Sequence, residues 1–333
     1  MKKRKVWFNG VKIDEKDAKV SIYDSAMMFG DTQFTMLRSF NRELFKLEEH
    51  IDRLYNGIKI MRIPLKQTKD KMFDEVLKVV DYHNGVFDKD DEHRILINVT
   101  RGILSIYGEI SPPGVPNVII ADFPLKWTTR GMGRYFDEGI NMAITSQRAI
   151  PSQYLDPKIK NRSRQHYQLA NIEASLFKGE NWALLLDDQG YVAEGTGDNV
   201  FIVKDGTIYS PVGKNILRGI SRNYIRDLSQ RIRPFNTEEF DYRQLLSYQY
   251  EEKNFEPYDI YTADECFISG TPFCLLPVVS LNGINIGNGK PGPVYNSLLN
   301  CWSIEQKVDI KKQIQNWDKK IKELDGPSPY KFK

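Results

Sequence analysis

Hydrophobic positions recur along the chain with two different periods. Val6–Phe8 and Val11–Ile13 flank Asn9-Gly10. That dipeptide between short apolar runs predicts a β-hairpin. Leu47, Ile51, Leu54, Ile58 and Met61 recur at spacings of four and three, which predicts an amphipathic helix ending near Pro64. A second helix is expected over Lys69–His83, carried by Met72, Val76 and Val80 and stopped near Gly85. Arg94–Thr100 and Asn117–Ala121 are β-branched runs expected to pair as strands.

The pattern then breaks at Pro124–Tyr135, a short polar stretch with two glycines. It reads as a linker between two domains. Beyond it, strands are expected over Asn141–Thr145, Trp182–Leu186, Asn199–Val203, Thr207–Tyr209 and Glu265–Ser269. Asp188-Gln189-Gly190 and Lys204-Asp205-Gly206 read as turns. Helices are expected over Gln165–Phe177, closed by Gly179, and over Ile220–Ile232. Cys301–Leu324 reads as one amphipathic helix ending in a Gly-Pro-rich, frayed terminus. Mixed strands and helices in two halves predict an α/β (α+β) two-domain enzyme. The expected division is 1–123, a linker at 124–135, a large domain at 136–305 and a helical tail at 306–333.

Composition narrows this picture. The chain has 333 residues, 41% of them apolar, enough for real cores. Lysine and arginine number 47 against 44 acidic residues, a balance that argues against nucleic acid as the main partner. Cys266, Cys274 and Cys301 are odd in number and widely spaced, which fits a reducing compartment and no zinc or other metal site. The basic start has no apolar run behind it, and no stretch of 18 apolar residues follows, so a cytoplasmic protein off the membrane is expected.

Five features carry candidate chemistry. Lys160 lies in a basic stretch and taken alone reads as a solvated lysine. Lys158, Arg162 and Arg164 nearby favour a partly neutral amine able to attack a carbonyl, and Lys158 satisfies the same argument. Glu194-Gly195 follows Lys160 by 34 positions and reads as a carboxylate on a glycine-rich turn. Arg53 stands three residues after His50 on the first helix. Gly219-Ile220-Ser221-Arg222 opens a helix, where free amides bind phosphate. Ser269-Gly270-Thr271 follows a strand and offers amide and hydroxyl donors. Together they supply an amine for an aldehyde, a carboxylate for a ring nitrogen, and cations and amides for a phosphate. Those are the needs of pyridoxal 5′-phosphate. Gly287-Asn288-Gly289-Lys290-Pro291-Gly292 matches a dinucleotide fingerprint by letters only, since Pro291 and the missing βαβ context argue against it.

The order of these motifs resembles the class IV, fold-type IV aminotransferases, a family of branched-chain aminotransferases, D-amino acid aminotransferases and aminodeoxychorismate lyases. The resemblance runs from about residue 6 to 300. It includes Phe29-Gly30-Asp31, Leu47-Glu48-Glu49-His50-Ile51-Asp52-Arg53-Leu54, Lys160, Glu194-Gly195 with Asn199-Val200-Phe201, Gly219-Ile220-Ser221-Arg222 and Ser269-Gly270-Thr271. It also covers Gly289-Lys290-Pro291-Gly292-Pro293. The resemblance implies a small α+β domain and a larger barrel-like domain with pyridoxal 5′-phosphate between them. Lys160, selected over Lys158 by its distance to Glu194, would form the internal aldimine and shuttle the proton. Glu194 would pair with the pyridine nitrogen. Arg53, Ser221, the Ile220 amide and Thr271 would hold the phosphate. Small amino acids and 2-oxo acids are the implied partners, and the assembly is a homodimer or larger homo-oligomer.

Departures fall where the substrate binds. Phe29 replaces a tyrosine, Thr35 replaces a glutamate, and Pro272 replaces an alanine and removes an N–H. Phe29, Phe34, Arg101 and Pro272 are the candidate substrate residues. Arg101 reads either as a carboxylate clamp or as a structural salt bridge. The expected activity is transfer of an amino group from a branched-chain amino acid to 2-oxoglutarate. A D-amino acid or (R)-amine aminotransferase, an aminodeoxychorismate lyase and a non-catalytic binding protein are the alternatives.

Overall fold

The computed structural model describes residues 3–110, 112–231, 236–237, 240–241 and 249–321. Two units divide it: Met1–Thr128 with Ile159–Arg164, and Thr129–Lys158 with Gln165–Lys333.

In the first unit, β1 (Lys5–Phe8) and β2 (Val11–Asp14) form the expected hairpin. Asn9 and Gly10 both take positive φ, 53° and 79°, as the tight turn requires. Next come α1 (Ser25–Phe29), β3 (Thr32–Phe40), β4 (Glu43–Leu44), α2 (Leu47–Ile60), α3 (Lys69–Asn84), β5 (His93–Thr100) and β6 (Val118–Pro124). The strands make one antiparallel sheet in the order β2-β1-β6-β5-β3-β4. The apolar stripe of α2 (Leu47, Ile51, Leu54, Ile58) packs with Met72, Val76 and Val79 of α3 and Leu37, Ile95 and Ile97 of the sheet. Each such side chain contributes roughly 1.5–3 kcal/mol by leaving water. Gly57 lets α2 approach β3 closely, because a β-carbon there would collide with Gln33 Oε1.

β4 covers only Ser39 and Phe40 on the free edge of β3. The segment Ile159–Arg164 pairs with the start of that edge, at Thr32–Phe34. Phe34 N donates to Lys160 O at 2.9 Å and Arg162 N to Thr32 O at 3.1 Å, while Asn161 bridges Gln33. This segment therefore belongs to the first unit, although it lies within the stretch 136–305 expected to form the large domain.

The second unit contains α4 (Tyr135–Glu138), β7 (Ile140–Arg148), α5 (Gln165–Ser175), β8 (Asn181–Leu186), β9 (Val192–Gly195), β10 (Asn199–Lys204), β11 (Thr207–Ser210) and α6 (Ile220–Arg231). These are followed by β12 (Asn236–Thr237), β13 (Phe240–Asp241), β14 (Gln249–Glu252), α7 (Pro257–Tyr261), β15 (Glu265–Gly270), β16 (Cys274–Leu281), β17 (Ile284–Asn285), α8 (Pro293–Glu305) and α9 (Ile310–Ile321). The sheet runs β14-β11-β10-β15-β16-β7-β8-β9, and β9 returns to β10 through Glu194 and Asn199. The strands from β10 round to β9 thus close into a barrel.

Two expectations are corrected here. Glu194 is not on a turn: it lies in β9, buried, at the barrel closure. The tail is not one helix from Cys301 to Leu324. Pro293 opens α8, Lys307 adopts a left-handed φ of 53°, and Asp309 Oδ1 accepts from Lys312 N at the start of α9. Leu324, the Gly-Pro-rich terminus and Ile232, the expected end of α6, lie outside the described residues. No helix among the described residues is long and apolar enough to cross a membrane.

Candidate active site

The first unit gathers Arg53, Lys160 and Phe34, together with Thr35 and His50. Phe34, only 2% exposed, presents its ring to cations. Lys160 Nζ lies 5.0 Å from the ring centroid, Arg162 Cζ 3.7 Å and Arg164 Cζ 5.7 Å. Arg162 also donates to Asn98 Oδ1 through Nε and Nη2. Thr35 Oγ1, next along β3, lies 2.7 Å from His50 Nδ1 and receives Arg53 Nη2 at 3.3 Å. Arg53 Nε is buried and has no hydrogen-bond partner among the described residues. Burial pushes the Arg53 guanidinium down to about 10. Burial, and then the charges of Arg53, Lys160 and Arg94, hold the His50 imidazole well below its usual value.

Lys158 has a different environment. Its Nζ pairs with Asp156 at 2.8 Å and donates to Lys214 O at 3.3 Å. The basic stretch therefore contains one lysine in an ion pair with Asp156 and one over an aromatic ring.

Arg101 and Phe29 are in the same unit but in other surroundings. Arg101 Nε bonds Asp31 Oδ2 at 2.5 Å, and its two Nη atoms donate to the carbonyls of Arg62 and Met61. Arg101 is thus in a salt bridge within the first unit. Phe29 ends α1 with 66% of its surface exposed.

The second unit gathers Glu194 and the turn into α6. Glu194 is 4% exposed. Tyr167 Oη donates to its Oε1 at 2.8 Å. Asn199 Nδ2 and Leu217 N both donate to its Oε2 at 3.0 Å. All three are donors, which suits a group that only accepts when ionised. Asn199 also donates to Leu217 O at 3.0 Å, tying the barrel closure to the turn before Ile220 and Ser221. Gly219 passes so close that a β-carbon would collide with Asn199 Oδ1. On the other side Asn199 pairs in register with Ser269, whose Oγ is buried without a partner. Thr271 and Pro272 follow in the turn after β15, both half-buried.

The family description Amino-transferase class IV matches residues 32–281. The chain belongs to that family. A Methanocaldococcus jannaschii protein, provisionally named a branched-chain-amino-acid aminotransferase, is 35% identical over 295 residues, which are 88% of this chain and 93% of that protein. The crystal structure of the Escherichia coli branched-chain amino acid aminotransferase superposes with a TM-score of 0.75 at 28% identity, covering 89% of this chain and 92% of that one. The Thermobaculum terrenum branched-chain amino acid aminotransferase, solved in its PLP (holo) form, has a TM-score of 0.75. It is 23% identical, with 95% and 97% of the two chains covered, and shows the same fold. The mixed α/β architecture with its barrel-like sheet is that of these class IV aminotransferases.

The motifs of this aminotransferase contain His50 without giving it a role, although a spacing of three puts it on the same helix face as Arg53. Asn199 stood inside the motif without a role. Tyr167 reaches Glu194 across 27 positions, a distance that periodicity does not encode.

Proposed function

We propose that this aminotransferase uses pyridoxal 5′-phosphate to move an amino group from a branched-chain amino acid to 2-oxoglutarate. The observation that carries the reading is the Arg53 guanidinium, with its unpartnered buried Nε, in the cluster that holds the Lys160 amine. A phosphate supplies the missing acceptor. Glu194, fixed by donors on both oxygens, fits a pyridine nitrogen. The PLP form of the Thermobaculum terrenum enzyme and the names of the other relatives support the same assignment.

When bound, the cofactor supplies an electron sink for the pair released at the amino acid Cα. Lys160 Nζ would hold the cofactor at its aldehyde carbon and would serve as the base and acid for the Cα proton. Glu194 would hold a proton on the ring nitrogen, and Tyr167, Asn199 and Leu217 N hold Glu194 in place. By the family resemblance, Arg53, Ser221, the Ile220 amide and Thr271 would hold the phosphate. The Phe34 ring bounds the space under the Lys160 amine. By the family resemblance Phe29 and Pro272 would be substrate residues, and Pro272 would offer no N–H. Arg101 holds Asp31 in an ion pair, which supports the structural one of its two readings. The chain acts as a homodimer, a reading supported by the exposed Ile22, Met27 and Ile106 of the first unit.

A donor panel tests the function. Purified full chain with pyridoxal 5′-phosphate is supplied with L- and D-amino acids and 2-oxoglutarate, and the oxo acids formed are measured. L-leucine, L-isoleucine and L-valine are expected to yield their oxo acids with equal amounts of L-glutamate. Exclusive use of D-donors, or protein that stays colourless with added cofactor, overturns the reading.

A further inference from the structure

Thr35 stands where the resembling family carries a glutamate, so the group beside Arg53 is uncharged. The guanidinium has donors only. Thr35 Oγ1 therefore accepts from Arg53 Nη2 and shares a second hydrogen bond with His50 Nδ1. Thr35 and His50 are both buried. The charged groups around the imidazole are Arg53 from α2, Arg94 from β5 and Lys160 from the segment on the edge of β3, all positive. A second ring proton would add another cation to that group, so His50 stays uncharged. Arg53 makes no ion pair among the described residues, and its Nε has no partner.

We infer that Thr35 and His50 are positioning residues, an uncharged hydrogen-bonded pair that fixes the Arg53 guanidinium without neutralising it. The Thr35 hydroxyl then sets how tightly the site holds a phosphate group. This rests on the phosphate role proposed for Arg53. It adds that Arg53 owes its orientation to Thr35 of β3, which reaches the phosphate only through Arg53.

The test titrates the full chain with pyridoxal 5′-phosphate and, separately, with pyridoxal, which lacks the phosphate. Thr35→Val is expected to weaken pyridoxal 5′-phosphate about tenfold, the loss of one hydrogen bond to a charged group. Pyridoxal binding stays unchanged, and Thr35→Ser binds both ligands like the parent. The Thr35→Ala and Thr35→Ser pair makes the same comparison if valine does not pack. Unaltered affinity in Thr35→Val and Thr35→Ala overturns the inference, as does equal weakening of both ligands. So does an imidazole ¹⁵N spectrum that shows His50 protonated on both ring nitrogens at neutral pH. Arg53→Ala separates the two levels of the argument. If it leaves the ratio of the two affinities unchanged, the phosphate reading itself fails. If it lowers that ratio while Thr35→Val does not, only the positioning role fails.

Discussion

Glu194 and Arg53 differ in how much of their hydrogen-bonding capacity the protein itself uses. Glu194 accepts from a phenol, an amide side chain and a backbone N–H, and it sits where β9 closes the barrel. Arg53 gives one bond to a neutral hydroxyl and keeps a buried Nε without an acceptor. Both carboxylate oxygens are anchored before any ligand arrives, whereas the guanidinium Nε is not. A preset anion of this kind acts on charge that develops during reaction, whereas an incompletely used cation acts on binding. The two residues should therefore control different measured quantities.

Glu194→Gln sharpens the contrast most. It is expected to lower kcat by roughly a hundredfold or more at saturating cofactor, the scale for removing a preorganised charge. Arg53→Ala is expected to raise the Kd for pyridoxal 5′-phosphate about ten- to hundredfold, and to leave most of kcat once cofactor saturates. If both substitutions move the same parameter, the contrast is wrong. Tyr167→Phe removes one donor from Glu194 Oε1 while keeping the ring packed near Ala170 and Ala174. A fall in kcat of about five- to tenfold is expected, with cofactor affinity intact.

The smallest effect is on stability against pH. The folded His50 imidazole is held below the unfolded value of about 6.5, so the unfolded chain takes up a proton that the folded chain refuses. The stabilising difference is present above that value and is lost as pH falls below it. Melting temperatures measured from neutral to acid pH should drop less steeply in His50→Gln than in the parent. Parallel curves would remove His50 from the account.

The local parts of this molecule are legible in its sequence. Asn9-Gly10 makes its hairpin because both residues accept positive φ. α2 follows from its apolar spacing, and the motif order carries Arg53, Lys160 and Glu194. What the sequence hides is register between distant segments. Val192–Gly195 is a short run with a small alanine and a glycine, so nothing in it announces a strand. It becomes β9 only because Glu194 meets Asn199. Cys274–Leu281 contains Pro277, a residue that argues against a central strand, yet it forms β16 between β15 and β7. Ile159–Arg164 reads as part of the second half by position but pairs along β3. The break between α8 and α9 depends on the left-handed Lys307, which the continuing apolar spacing conceals.

The central claim is that Lys160 is the lysine that binds the cofactor, in a stretch where Lys158 is the rival two positions away. The direct measurement is borohydride reduction of the full chain loaded with pyridoxal 5′-phosphate, followed by peptide mass mapping. The account predicts a phosphopyridoxyl group on Lys160 alone. A group on Lys158 or another lysine, or on none, contradicts it.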